Sequence, residues 1–374
     1  MTRVLLGFAA VFAVLLLAIR LIYGGGVSYI DVNTAPLLQP DQLDIAFSSE
    51  LPIGNVASAA DGTLFFTIHP DAKPAGNKLL RIVDGIALPF PDGASQQNIF
   101  NTPLGLTLDA FNRLWVIDHG NHATQGARLL AIDLANGDIV HDHTFSQDIA
   151  PTGSMLQDLA VSDDGQTVFI ADVSIIRRKP ALIVYDTTTS AARRVLEGVV
   201  ATSSQDYRIN NSYRRMVFLG GLFSLMPGLD GLALSQDGEW LYLAAMSNDG
   251  LYRVPAAAAA DATVHPNQLA KRVERFGDKP LSDGVTTDAA GNIYVTDVEH
   301  HSITRIDPRR RLQTVLRSPR IRWPDSVALD AANNLYVADS ALPLYLLQSD
   351  SAIADNAPYH IFRIPLTQEP TTEP

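Results

Sequence analysis

Cysteine is missing from the 374 residues. That excludes disulfides, zinc–thiolate centres and thiol nucleophiles, and it leaves the redox compartment open. Basic residues are in deficit, with 28 Lys and Arg against 40 Asp and Glu, a formal charge of −12. A deficit of this sign argues against a nucleic-acid partner, which needs a basic face, and against adsorption to anionic membrane surfaces. Also absent are a Gly-x-Ser-x-Gly elbow, a His-Glu-x-x-His zinc motif, a P-loop and a dinucleotide fingerprint, which removes support for serine-triad hydrolases and nucleotide enzymes. What remains is 47% hydrophobic and 18% charged, ordinary for a globular protein.

An apolar run opens the chain. Arg3 precedes Val4 to Ile19, and Arg20-Leu-Ile-Tyr23 follows. A basic start and an apolar run read as an export signal. Arg20 interrupts the place where a small-x-small cleavage site belongs, so residues 1–23 are a signal peptide or an uncleaved signal anchor. A secreted or periplasmic location is expected, with membrane contact only through this segment if it is retained. Residues 24–42, bearing Gly, Pro and Asn without periodicity, read as a linker.

The rest of the chain repeats itself. Asp283-Gly-Val-Thr-Thr-Asp-Ala-Ala-Gly-Asn-Ile-Tyr-Val-Thr-Asp297 is echoed by Asp325-Ser-Val-Ala-Leu-Asp-Ala-Ala-Asn-Asn-Leu-Tyr-Val-Ala-Asp339. Four weaker copies stand upstream, beginning near Gly54, Leu104, Asp158 and Asp230. Each is two β-branched or aromatic runs around an Asn, Asp or Gly turn, a hairpin pattern. A third strand follows each hairpin, as in Arg128–Asp133 and Ala181–Asp186, and a weaker fourth follows most. Four strands recurring every 40–50 residues or so predict an all-β, six-bladed β-propeller over residues 43–366. The last unit stops at its third strand near Ile364, so the orphan run Leu43–Phe47 is expected to supply the fourth and close the ring. Residues 367–374 are expected to form a flexible tail. The spacing breaks once, at 197–229, where Tyr207, Tyr213, Phe223 and several arginines indicate an ordered lid rather than a slack loop.

These residues resemble the yellow and major royal jelly protein family. The likeness is carried by Leu88-Pro-Phe-Pro91, Arg113-Leu-Trp-Val-Ile-Asp-His-Gly120, Phe169-Ile-Ala-Asp-Val173, Asp230-Gly-Leu-Ala-Leu-Ser235 and Trp323-Pro-Asp325. Insect members carry disulfides and this chain has no cysteine, so the likeness is to a bacterial-type member. The resemblance implies an exported six-bladed propeller whose axial pocket binds small ligands, amines in some members; a dopachrome-converting activity is associated with some relatives. More loosely, the repeats are similar to gluconolactonase/SMP-30 propellers, which are calcium-dependent lactone hydrolases.

Propeller geometry places the start of each innermost strand and the end of each second strand on one face. That face then gathers Asn55, Asn101, Asp158, Asp230, Asp283 and Asp325 with His69, Asp118, Asp172, Asn248, Asp297 and Asp339. Hard oxygen donors converging from several strands suit Ca²⁺, which takes about six to eight of them, and the same charge attracts an organic cation. Any single Asp at a strand start also caps backbone N–H groups. Glu50-Leu-Pro52 resembles the Glu-x-Pro opening through which lactonase-type propellers supply a metal ligand, giving Glu50, Asp158, Asp230 and Asp283 as the expected metal set. Asp283, His119 and His300 are the candidate acid–base residues. Asn101, Asp118, Asp172, Tyr207, Tyr213, Phe223, Asp297, Asp325 and Asp339 are the candidate ligand contacts. Three functions are compatible: a monomeric small-molecule binder whose pocket is roofed by the lid, a Ca²⁺-dependent lactonase, and a scaffold without chemistry.

Overall fold

In a computed structural model that describes residues 2–349 and 351–368, the repeat becomes six four-stranded antiparallel sheets. Their innermost strands are Ile53–Ser58, Pro103–Leu108, Leu156–Val161, Leu229–Leu234, Val285–Thr287 and Pro324–Leu329. Each touches the innermost strand of the next blade, and the sixth returns to the first, so the ring closes around an axis. Blade six borrows its outer strand from the N-terminal side of the domain. Asp44–Ser49 pairs with Tyr359–Pro365 in a register running from Asp44↔Arg363 to Ser49↔Tyr359. An unpaired edge is thereby covered, and the two ends of the propeller are tied together.

The inner hairpins turn where the sequence provides positive φ. Gly62, Asn112, Gly165, Gly238, Gly291 and Asn333 all adopt it, with φ between 58° and 85°. In blades two, five and six an aspartate secures the turn. Asp109, Asp288 and Asp330 each accept backbone N–H groups two and four residues on. Their second oxygens take Trp115 Nε1–H, Tyr294 O–H and Tyr336 O–H. The recurring Asp and the aromatic six residues later are one device, which explains why they repeat together.

A second irregularity recurs on the inner strands. Their pairing register slips between Ile53 and Val56, Pro103 and Leu106, Leu156 and Leu159, Leu229 and Gly231, and Pro324 and Ser326. An extra residue in a strand re-aims side chains, and here the slips fall at Asn55, Gly105, Asp158, Asp230 and Asp325. Blade two contributes no side chain at this level. A Cβ on Gly105 would collide with the carbonyl oxygen of Gln157, so glycine there lets two inner strands close on the axis.

Residues 24–42, expected to be a linker, are bound. Leu37 and Leu38 donate to Thr314 and Val315 of blade five, Leu38 is buried, and Asn33 Nδ2 donates to Asp297 at 2.7 Å. A helix, Thr2–Tyr23, precedes this strap, and its Tyr23 O–H reaches the Ile176 carbonyl. Side chains of residues 1–6 and 9 lie outside the described set, as does the expected tail from residue 369 onward. Among the described residues no helix is long and apolar enough to cross a membrane.

Candidate functional site

The lid, residues 197–229, is a stopper rather than a roof over an open pocket. It carries a small hairpin, Val217–Phe218 with Phe223–Ser224. Ile209, Met216, Phe218 and Leu225 are buried in one apolar cluster with Leu281, Val298, Trp323, Leu342 and Tyr345. Polar ties seat it: Asn211 Nδ2 donates to the carbonyls of Val298 and Arg322, and Asn210 N–H donates to Glu299 at 2.6 Å. The face where the innermost strands begin is therefore sealed on the axis.

Below that seal lies a channel of about 350 Å³ running along the six innermost strands. Exposure climbs with distance from the lid. Asn55, Asp230, Asp283 and Asp325 are buried, Ser58, Thr107, Val161 and Leu329 are half-buried, and Asp163 and Gln236 are exposed. The channel is blind at the lid end and opens among the hairpin turns. The expected acidic mouth is instead an acidic floor.

Four carboxyl groups make that floor. Asp283 is held from two sides, by Trp323 Nε1–H at 2.8 Å and Gln157 Nε2–H at 3.1 Å. Both are donors, so Asp283 is fixed as the acceptor. The charge on Asp283 disfavours ionisation of Asp230, whose Oδ2 has no hydrogen-bond partner among the described residues. Asp158 accepts from the backbone N–H groups of Leu159 and Leu232. Asp325 Oδ2 lies 3.7 Å from His69 Nε2. Burial raises all four carboxyl groups, Asp158 to about 7. Asp230 rises further because Asp283, Asp325 and Asp158 repel its charge. Burial lowers His69, so it faces Asp325 as a neutral ring. No Lys or Arg lines the channel among the described residues. The buried Lys279 sits behind, its ammonium directed to the Pro280 carbonyl and Ser282 Oγ.

The other candidates lie elsewhere. Asp118, Asp172, Asp297 and Asp339 form a second ring, off the channel. The first, second and fourth tie the end of a second strand to the chain entering the same blade, and Asp297 is held by its own following loop and the N-terminal strap. Asp118 accepts from the backbone of Asn101, Thr102 and Gly120, and Asp172 from Met155 N–H and Arg194. Asp339 accepts from Arg322 and Trp323, and Asp297 from Glu299, His300 and Asn33. Their oxygens are taken by the frame. Glu50 is exposed at the end of the closing strand and does not line the channel, so it is separated from the three aspartates expected to share a metal with it. Tyr207 packs on Tyr29, Tyr213 hydrogen-bonds the Pro319 carbonyl, and Phe223 packs on Phe218; all three serve the lid. His300 bonds Asp297 at 3.0 Å and stands 3.8 Å from Asp31. That trio is, among the described residues, the group of three or more metal-type ligands whose atoms fall within 4.8 Å of one another. Asn101 and His119 line a separate cavity between blades one and two. Sequence reasoning placed His69 on this face and missed Gln157 and Trp323 as members of the floor. The first lay beside a named residue, and Trp323 stood inside a quoted motif whose partner across the axis was not readable.

A family model described as "Major royal jelly protein" matches residues 102–369. The chain belongs to the major royal jelly protein family. Major royal jelly protein 3 of Apis mellifera is 24% identical over 217 residues, 53% of this chain and 38% of that protein. Major royal jelly protein 9 of the same organism is 28% identical over 210 residues, 51% of this chain and 47% of that protein. The chain thus spans less than half the length of these relatives. Among solved structures, a gluconolactonase from Xanthomonas campestris aligns over 86% of this chain and 89% of its own, with TM-score 0.55 and 16% identity. Regucalcin, a calcium-binding protein from Agrobacterium tumefaciens, aligns over 88% and 95%, with TM-score 0.56 and 15% identity. At such identities the likeness is one of fold. The region matched to the royal jelly family holds Asp158, Asp230, Asp283 and Asp325 and leaves Asn55 outside.

Proposed function

We propose that this royal jelly family member is an exported binder of a small organic cation, taken into the axial channel through its hairpin-turn mouth. The observation that carries the reading is the meeting of Asp158, Asp230, Asp283 and Asp325 at the blind end of a channel lined by no Lys or Arg among the described residues. Carboxyls that close repel once ionised, and a ligand ammonium relieves the repulsion. The apolar walls, including Val56, Leu106, Leu232 and Val285, suit an aromatic or aliphatic body behind that charge. Export rests on the basic start and apolar run of residues 1–23. Thermal melting and calorimetry with phenethylamine and tryptamine test the reading. Binding by the amines and none by the matching carboxylic acids is expected, with Asp230→Asn and Asp158→Asn weakening it. Equal binding by acids and amines would overturn it.

The calcium-dependent lactonase reading has the fold likeness and the channel carboxyls in its favour. Calcium in such a site would polarise a lactone carbonyl and activate a water. The donors do not fit it as they stand. Asp283 is engaged by Trp323 and Gln157, burial and the neighbouring carboxyls hold Asp230 toward its protonated form, and Glu50 is absent from the floor. Unchanged melting after EDTA and after added Ca²⁺ is the expected result; a calcium-dependent rise abolished by Asp158→Asn would restore the alternative.

A further inference from the structure

Immediately after the second strand of blade two, Gly120, Asn121, His122 and Ala123 adopt φ of 58°, 50°, 55° and 57°. That is a full left-handed turn, and each non-glycine residue in it costs about 1–2 kcal/mol. The surroundings enforce it. Asp118 accepts Gly120 N–H, Thr102 Oγ1 accepts Asn121 N–H, and the carbonyls of His119 and Gly120 take the N–H groups of Ala123 and Gln125. Its result is specific: His122 N–H is brought onto Nδ1 of His119 at 3.0 Å.

That contact decides the tautomer. Nδ1 of His119 accepts, so the ring proton sits on Nε2. The ring is buried, 3% exposed, and Nε2 has no partner among the described residues. A buried donor left without an acceptor costs about 1–3 kcal/mol. Burial and the neighbouring His122 and His69 hold the ring neutral, its pKa pushed down to about 3. A metal does not fit at Nε2, because coordination there would move the proton to Nδ1, where His122 N–H already points. What Nε2–H lacks is an acceptor.

His119 lines a cavity of about 320 Å³ at the seam of blades one and two, together with Lys73, Lys78, Asn101, Thr102 and His122. One carboxylate, Asp71, also borders it. Two lysines stand here, whereas the axial channel has no Lys or Arg among its described lining residues. We propose that this cavity is a second binding site, for a small organic carboxylate, with His119 Nε2–H as the inner donor and Lys78 and Lys73 supplying the positive field. It is independent of the axial reading and takes ligand of opposite charge.

The experiment uses the full chain, with benzoate as the probe and benzylamine as the control. Long-range ¹H–¹⁵N spectra of the histidine rings should show His119 protonated at Nε2, and benzoate at millimolar concentration should shift that resonance and raise the melting temperature. His119→Phe keeps a buried ring and removes the donor. Because it also removes the Nδ1 acceptor of His122 N–H, it should melt near wild type without ligand, the two losses offsetting, and bind benzoate about tenfold or more weakly, the equivalent of one lost charge-assisted hydrogen bond. His119→Gln, which restores an N–H donor, should recover part of the affinity, and Lys78→Met should weaken it without altering the His119 tautomer. A wild type that ignores benzoate, an undiminished response in His119→Phe, or a His119 resonance protonated at Nδ1 would each overturn the proposal.

Discussion

The indole N–H of Trp323 donates to Oδ2 of Asp283 across a distance of 2.8 Å. The ring belongs to the apolar stopper under the lid, and the carboxylate belongs to the channel floor. One contact therefore joins the seal to the site. Trp323→Phe keeps most of the packing and removes the donor. It should destabilise the protein by about 1–3 kcal/mol, the cost of leaving a buried acceptor unsatisfied, read from the urea midpoint. Because that hydrogen bond favours ionised Asp283, its loss should also weaken amine binding near neutral pH. Trp323→Ala, which empties the stopper as well, should cost about 3–5 kcal/mol.

Protonation of the floor sets a pH dependence whose sign is fixed. Burial raises Asp158 from the usual 3.8 to about 7. The folded protein then holds a proton that the unfolded chain has released, so this group's contribution is complete below its unfolded value. It declines as pH rises and is gone above about pH 7. Asn at 158 keeps the shape and cannot ionise. The melting temperature of Asp158→Asn minus that of wild type should therefore grow between about pH 4.5 and about pH 8, the common effects of other groups cancelling. A difference that stays flat would mean that Asp158 ionises as an ordinary surface carboxylate.

The same proton should be counted out when a cation binds. Burial and neighbouring carboxyls hold Asp230 and Asp283 toward their protonated forms, and an ammonium placed beside them favours the fully ionised pair. Calorimetry of phenethylamine binding near pH 6.5 in buffers of different ionisation enthalpy should report proton release approaching one per ligand, the reverse of the burial that raised these groups. Asp230→Asn should bind more weakly and release fewer protons, the remainder coming from Asp158. Binding without proton exchange in wild type would show that the ligand's charge rests elsewhere.

Much of this was legible before the structure. The hairpin echo of Asp283–Asp297 in Asp325–Asp339 carries the blade count, and the missing fourth strand after Ile364 points to the run Leu43–Phe47 as its replacement, observed as Asp44–Ser49, because periodicity and edge pairing are local rules. The aspartates at the starts of the innermost strands were also legible, since alternation and the turn positions put them at one level of the ring. The two rings of aspartate were not separable by that logic. Asp230 and Asp297 look alike in sequence, yet one faces the axis from a slipped strand and the other is wrapped by backbone N–H groups of its own loop. Which end of the channel is open depends on how Met216, Phe218 and Trp323 pack, a contact between segments about a hundred residues apart that no local pattern encodes.

Gly105 tests the close approach that leaves blade two without a polar group on the axis. Its added methyl would meet the Gln157 carbonyl and lie 2.9 Å from Ile117 Cγ2. Backbone cannot step aside cheaply here, because Gln157 also orients Asp283. Gly105→Ala should lose about 1–3 kcal/mol by overpacking and reduce amine affinity with it. Gly62→Ala, in a turn with open space around the new methyl but φ of +85°, should cost stability alone.

The direction of entry yields the sharpest kinetic test. Asp163 is exposed, lines the channel at its hairpin-turn end, and lies outside the buried carboxyl cluster. A negative charge at a mouth concentrates cations before they enter. Asp163→Lys reverses that charge without disturbing the floor, so the association rate of phenethylamine should fall by about tenfold at low ionic strength, recover as salt screens the mouth, and leave the dissociation rate nearly unchanged. Tyr213→Ala, at an exposed position on the lid face, should leave both rates as they are. If instead the lid substitution alters association and Asp163→Lys does not, ligands enter past the stopper, and the lid must move to admit them.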